Sequence, residues 1–254
     1  MMFYQKIADG ISMPMLGFGT FMNTGADCER TVVEAIHTGY RLIDTAEAYG
    51  NEEQVGRGIK SGVENSLRLL GTDYLDLVLL HWPFADYYTA WRELEKLHKA
   101  GYICAIGVSN FEPDRLIDLI AYNDVKPVIN QIETHLYCQR QAEHLWEDKY
   151  NVAHMAYTPL EQGQANEMFT EPLVQEIAAK YGKTAAQVLL RRTMQDHTIV
   201  IPKSVHSERI AENFNVFDFE LMTAEMKLLA TLDKKVPMIG KPETPELVEF
   251  SLTW

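Results

Sequence analysis

The 254-residue chain is short of three things. Cysteine is scarce: Cys28, Cys104 and Cys138 are odd in number and show no CxxC spacing. That excludes a disulfide framework and a cysteine zinc site, and three reduced thiols suit a cytoplasmic protein. Positive charge is short as well, since 23 Lys and Arg against 36 Asp and Glu leave a formal charge of -13. So negative a chain repels phosphate backbones and anionic lipid, which argues against nucleic acid or a membrane surface as partner. Long apolar runs are missing too. None approaches the ~20 residues of a membrane span, and the opening MMFYQKIADG has no apolar core of a signal peptide.

The chain does have apolar residues for a sizeable core, 46% of the total, spread without a linker or low-complexity tract. No composition shift marks a boundary, so one domain over residues 1–254 is expected. Asp9-Gly10 between two short extended runs predicts an N-terminal hairpin over 3–15. Short apolar runs near 16, 42, 74, 104, 128, 152 and 198 then alternate with helical patterns. The helices are expected at 27–38, 51–60, 63–71, 88–99, from Pro113, at 139–149, 171–181 and to Met194 from a Thr184/Gln187 capping box, then from Ser207 and from Thr244-Pro245. Strands alternating with helices at this spacing imply a parallel sheet, and about 250 residues suit an α/β (β/α) barrel. The glycines of LGFGT at 16–20 allow close backbone approach. With no third glycine and no helix directly after, they are not a dinucleotide fingerprint.

Chemistry concentrates around 42–53, LIDTAEAYGNEE. A buried strand there ends at Asp44, Tyr49 falls in the following loop, and Asn51 with two glutamates starts a helix. In a barrel of alternating strands and helices, that rim carries the active site. Alone, an Asp and a Tyr beside a glycine turn are ordinary turn residues. His81, after the strand at 74–80, is alone more often a satisfied core histidine.

The ordered set of motifs shifts these odds. LGFGT at 16–20, DTAEAYGNEE at 44–53, LLHWP at 79–83, GVSNF at 107–111, NQIE at 130–133, AYTPL at 156–160, IPKS at 201–204 and RIAEN at 209–213 resemble the aldo-keto reductases over nearly the whole chain. They look most like bacterial members that reduce small carbonyls such as diketogluconate or methylglyoxal. The resemblance implies a (β/α)8 TIM barrel with NADPH as cofactor, a small carbonyl substrate and a monomer. It implies Tyr49 as proton donor, His81 as a second group on the carbonyl oxygen, and Asp44 as their catalytic neighbour. Ser109, Asn110 and Gln131 would hold the nicotinamide carboxamide, and Tyr157 would stack on the ring. Lys203, Ser204 and Arg209 would hold the 2′-phosphate, and Glu212 and Asn213 would meet the adenine. Thr20, Asp44, Thr158, Leu160 and Val205 complete the cofactor set. Phe21 and Trp82 would wall the substrate pocket, and no metal is implied.

One departure stands out. The family carries a further strand after the YGNEE helix, with a lysine that lowers the tyrosine pKa. Here Lys60-Ser61-Gly62 runs straight into Val63, and only seven barrel strands are counted. The missing stretch is on the order of 30 residues, one strand-helix unit. Either residues between Gly62 and Val63 are omitted from the sequence, which the intact flanking motifs favour, or the chain lacks them. In the first case the two residues are not covalent neighbours and the third strand position is open. In the second, the alternative is a nicotinamide-binding protein without turnover, a redox sensor or structural protein.

Overall fold

The computed structural model describes residues 2–46, 49, 74–84, 86–160, 166–238 and 244–251. Gly10, at φ 78°, turns strand β1 (Tyr4–Ala8) back onto β2 (Ile11–Pro14) as an antiparallel pair, the expected hairpin. Its Ile7 and Met13 pack against Ile129, Ala153 and Ile199. Those three residues begin their strands, so the hairpin closes the end of the sheet where the strands start.

Seven further strands follow among the described residues: β3 (Phe18–Gly19), β4 (Ile43–Asp44), β5 (Leu75–Leu80), β6 (Ile103–Ser109), β7 (Ile129–Glu133), β8 (Ala153–Tyr157) and β9 (Ile199–Val200). All their ladders are parallel. Parallel bridges Leu16–Val200 and Gly19–Lys203 join β3 to β9, so the ring runs β4-β3-β9-β8-β7-β6-β5. No ladder joins β4 to β5 among the described residues. This is the position of the strand that the sequence count leaves out. The strands beside it are half-buried: Ile43 of β4 and Leu77, Val78, Leu79 and Leu80 of β5, whereas β7 is buried throughout. The expected helices at 51–60 and 63–71 and the Gly62–Val63 join lie outside the described residues.

Ten helices are described: α1 (Gly25–Thr38), α2 (Tyr87–Lys99), α3 (Pro113–Ala121), α4 (Gln141–Tyr150), α5 (Asn166–Thr170), α6 (Pro172–Tyr181), α7 (Ala185–Gln195), α8 (Ser207–Phe214), α9 (Thr223–Ala230) and α10 (Pro245–Ser251). None is long and apolar enough to cross a membrane. Gly39 ends α1 at φ 123°, with Phe214 2.6 Å from where a Cβ would sit. Pro113 opens α3, and the Thr184/Gln187 capping box opens α7, both as expected. Ser207 was expected to cap α8, but it is the first helical residue. The N-cap is His206, whose N–H donates to Ser204 Oγ at 3.1 Å, so the upstream serine takes the local role. The sequence reading lacked α9. There Glu225 caps the helix by accepting from Met222 N–H and also holds Lys180 and Tyr181, the last two being long-range bonds that no local pattern announces.

The inner face of the ring is packed by Ile129, Met155, Ile199 and Ile201, with Leu77 and Leu79 against them. The LGFGT glycines do what was expected of them. A Cβ on Gly19 would lie 2.9 Å from the Ile201 carbonyl, at the junction that joins β3 to β9. Gly19→Ala should therefore destabilise the protein by about 1–3 kcal/mol, the usual cost of overpacking against backbone. Urea denaturation measures it, and an unchanged midpoint would show that the junction has slack.

Candidate active site

Because the ring is parallel, its strand carboxyl ends form one rim, and most of the singled-out residues gather there. Asp44 ends β4, Ser109 ends β6, Gln131 lies on β7 and Tyr157 ends β8. Gln131 Nε2 donates to Asp44 Oδ1 at 3.0 Å and contacts Met155 Sδ at the same distance. Thr20 holds the Asp44 carbonyl through its N–H at 3.1 Å and its hydroxyl at 2.8 Å. Loss of water around the carboxyl pushes the Asp44 pKa up to about 6, against the opposing pull of Gln131. Among the described residues no cation pairs with Asp44.

Tyr49 is half-buried, and its ring meets Phe21 edge-on at 5.0 Å. Its pKa is raised by burial and further by the charge of Asp44. That is the direction opposite to the one a proton donor gains from a neighbouring cation, and it agrees with the absence of the family lysine from the sequence. His81 is exposed with its ring 5.8 Å from that of Trp82, and partial loss of water lowers its pKa. It is neutral at pH 7 and has one ring N–H to offer an oxygen. Trp82 stacks on Phe84 at 5.4 Å with the planes 6° apart. Phe84 was not singled out in the sequence, since nothing local distinguishes it.

The nicotinamide set is closely bonded. Ser109 Oγ donates to the Gln131 carbonyl at 2.8 Å, and Asn110 N–H donates to the same oxygen at 3.0 Å. Asn110 Nδ2 donates to the His81 carbonyl at 3.0 Å, while its Oδ1 accepts from Tyr157 OH at 2.7 Å. Asn110 takes φ 61°, a conformation that asparagine tolerates better than most residues. Thr158 follows at φ 50°, and its buried Oγ1 has no partner among the described residues, so a polar group beside Tyr157 would satisfy it. Leu160 is half-buried against the core.

Lys203 and Arg209 are exposed, and neither makes an ion pair among the described residues. Both lie by the N-terminus of α8, where free N–H groups and the helix dipole favour an anion. In a chain of charge -13 this suits a phosphate. Val205 is held from outside by Arg30, whose Nη2 donates to its carbonyl at 3.0 Å while pairing with Asp27. Sequence spacing gave no signal for Arg30, because the contact spans 175 residues. Asn213 is buried, and Glu212 already accepts from the Thr184 hydroxyl at 2.7 Å.

One group of three metal-type donors occurs among the described residues: His144, Glu147 and His154, with ligand atoms within 4.8 Å of one another. The two imidazoles stack at 3.9 Å with planes 21° apart, so their in-plane lone pairs run side by side instead of converging. Instead Glu147 and His154 are bonded to each other in the interior, and half-buried His144 stacks on His154. Burial raises the Glu147 pKa and lowers both histidines.

The aldo/keto reductase family model matches residues 59–234. An aldo-keto reductase of Mycobacterium sp. (strain JLS) is 40% identical, covering 93% of this chain and 95% of its own length. Methylglyoxal reductase DkgA of Escherichia coli (strain K12) is 38% identical over 272 aligned positions, with 97% of its length covered. That alignment covers 96% of the 254 residues, about 244, so about 28 aligned positions have no residue in this chain. Among solved structures, Gox0644 in its apo form superposes with a TM-score of 0.91 at 35% identity, covering 96% of this chain and 98% of that one. The Bombyx mori aldo-keto reductase in complex with NADP gives 0.87 at 29% identity, covering 94% and 95%.

The Asp44 geometry carries a pH prediction. Its folded pKa, about 6, lies above the ordinary 3.8. A raised acid favours the fold below its unfolded pKa and loses that advantage as pH rises through the folded one. Asp44→Asn should therefore stabilise the protein at pH 8 by on the order of 2 kcal/mol more than at pH 3.5. Urea denaturation at the two pH values checks this, and an equal effect at both would show that Asp44 is not desolvated.

Proposed function

Since the chain belongs to the aldo/keto reductase family, we propose that it is an NADPH-dependent carbonyl reductase with Tyr49 as proton donor. In this reading it is a single (β/α)8 barrel domain over residues 1–254, monomeric and cytoplasmic, that turns small aldehydes or ketones into alcohols. The observation that carries it is the bonded rim. At one mouth Gln131 of β7 bonds Asp44 of β4 side chain to side chain, Tyr157 of β8 bonds Asn110 in the same way, and Ser109 of β6 donates its hydroxyl to the Gln131 carbonyl. Solved relatives with NADP or NADPH bound support the cofactor. The cations Lys203 and Arg209, which make no ion pair among the described residues, support its phosphorylated form.

Bound nicotinamide supplies the hydride to the carbonyl carbon. The chain supplies the rest. Ser109, Asn110 and Gln131 fix the carboxamide and thereby the ring face, and Tyr157 covers the ring. Tyr49 OH gives its proton to the carbonyl oxygen, and neutral His81 donates a hydrogen bond to the same atom. Donors placed where charge develops stabilise the transition state. Phe21, Trp82 and Phe84 give the substrate an apolar wall. Relatives of similar closeness bear names as different as methylglyoxal reductase and morphine 6-dehydrogenase, so the class of substrate proposed is a carbonyl compound and no single one.

A second reading, a nicotinamide-binding protein without turnover, is favoured by one observation. The Tyr49 pKa is raised, with Asp44 beside it and no cation described near either. Turnover separates the readings. NADPH consumption with a small aldehyde supports the reductase, and NADPH binding with no consumption supports the binder.

Two substitutions test the assignments. Tyr49→Phe should abolish reduction and leave the NADPH dissociation constant within about twofold, since the phenol acts on the substrate. Near-normal turnover in this variant would move the proton donor elsewhere. Arg209→Ala should weaken NADPH by roughly 1.5–3 kcal/mol, the range of a charged hydrogen bond, and barely change NADH. Equal affinity of the unmutated protein for NADH and NADPH would remove the phosphate assignment.

A further inference from the structure

The turn that bears Asn110 is held from outside the barrel. The last β6–β7 ladder pair is Ser109–Gln131, so the peptide groups of Phe111 lie beyond the strands' reach. Asn130 supplies the missing partner with its side chain. Its Nδ2 donates to the Phe111 carbonyl at 2.8 Å, and its Oδ1 accepts from Phe111 N–H at 3.4 Å. A primary amide offers the same donor and acceptor as a peptide, so the ladder is in effect extended around the left-handed Asn110.

That amide serves in one of its two orientations only. Flipped, it would set donor against donor and acceptor against acceptor. Glu147 of α4 fixes the choice, because the second hydrogen on Asn130 Nδ2 goes to Glu147 Oε1 at 2.8 Å. Glu147 Oε2 meets His154 Nδ1, and His154 Nε2 meets the Thr134 hydroxyl at 2.7 Å. The Thr134 hydroxyl donates to the Ile132 carbonyl at 3.2 Å, so it accepts from His154 Nε2–H. Nδ1 is then the acceptor for a protonated Glu147, and the upward push of burial on that carboxyl agrees. Phe111, Asn130, Glu147 and His154 are all at most 3% exposed, so water does not compete for these bonds.

We infer that Glu147 is a positioning residue for the nicotinamide end of the site, acting through Asn130 on the turn at 109–111. The inference rests on the NADPH reading above. It differs from general support of the fold, because its effect is confined to one half of the cofactor.

Calorimetric titration with two ligands tests it: NADPH, and the nicotinamide-free 2′-phosphoadenosine 5′-diphosphoribose. Glu147→Ala should weaken NADPH about five- to tenfold, the size of one or two lost hydrogen bonds, and leave the second ligand within about twofold. Glu147→Gln keeps an acceptor for Asn130 and a donor for His154, and should retain NADPH affinity. Should Glu147→Ala fail to fold, Glu147→Asp draws the carboxyl back from Asn130 and should show the same split. Equal weakening of both ligands, or unchanged NADPH affinity in Glu147→Ala or Glu147→Asp, overturns the inference. An unmutated protein that binds the nicotinamide-free ligand but not NADPH overturns it as well. Binding of neither ligand overturns the NADPH reading itself.

Discussion

One hydrogen bond, from Gln131 Nε2 to Asp44 Oδ1 at 3.0 Å, spans the mouth of the barrel. In the ring, β7 and β4 are separated by β8, β9 and β3, so the bond crosses the interior instead of following the wall. It sets where the Asp44 carboxylate points, and therefore what Tyr49 feels. It also holds the side chain of Gln131, whose backbone carbonyl receives Ser109 and Asn110. The proton-donor side and the cofactor side of the site therefore share one residue.

The electrostatics follow from how little opposes Asp44. A carboxyl drawn out of water and given one neutral donor is a costly group to ionise, and its pKa rises. Its residual charge then makes ionisation of Tyr49 harder. A phenol that yields its proton must pass part-way to phenolate, so the same neighbour that completes the constellation slows the step. His81, neutral and partly open to solvent, adds no charge to offset this. The cations lie elsewhere, at the start of α8, where an acidic protein keeps Lys203 and Arg209 free of partners among the described residues.

Much of the fold was legible because its signals are local. The Asp9-Gly10 turn, the Gly39 stop, Pro113 and the Thr184 capping box are short-range devices, and each marks an element end. The alternation of strands and helices placed Asp44 at the strand carboxyl ends, and the resemblance of the ordered motifs to a known family brought Ser109, Gln131 and Tyr157 to the same site. What stayed hidden was long-range. Arg30 reaches Val205, Glu225 organises α9 through Lys180 and Tyr181, and Glu147 orients Asn130 from the outer helix layer. In each case a polar side chain serves a partner that sequence spacing does not link to it. Ser207 was misread as a cap because Ser204, three residues earlier, offers the same chemistry in a better place. The sequence count left one strand position out between β4 and β5. The described ladders stop at that place, and relatives align with about 28 positions more than this chain fills there or elsewhere.

The coupling of Asp44 to Tyr49 is the centre of this account, and the pH dependence of kcat tests it most directly. With Asp44 titrating at about 6 and no cation among the described residues to favour phenolate, carbonyl reduction at saturating NADPH should be fastest below that pH. It should then fall as Asp44 ionises, with an apparent pKa near 6. A flat profile between pH 5 and pH 8, or a rate that rises through that range, would contradict the account and point to a cation acting on Tyr49.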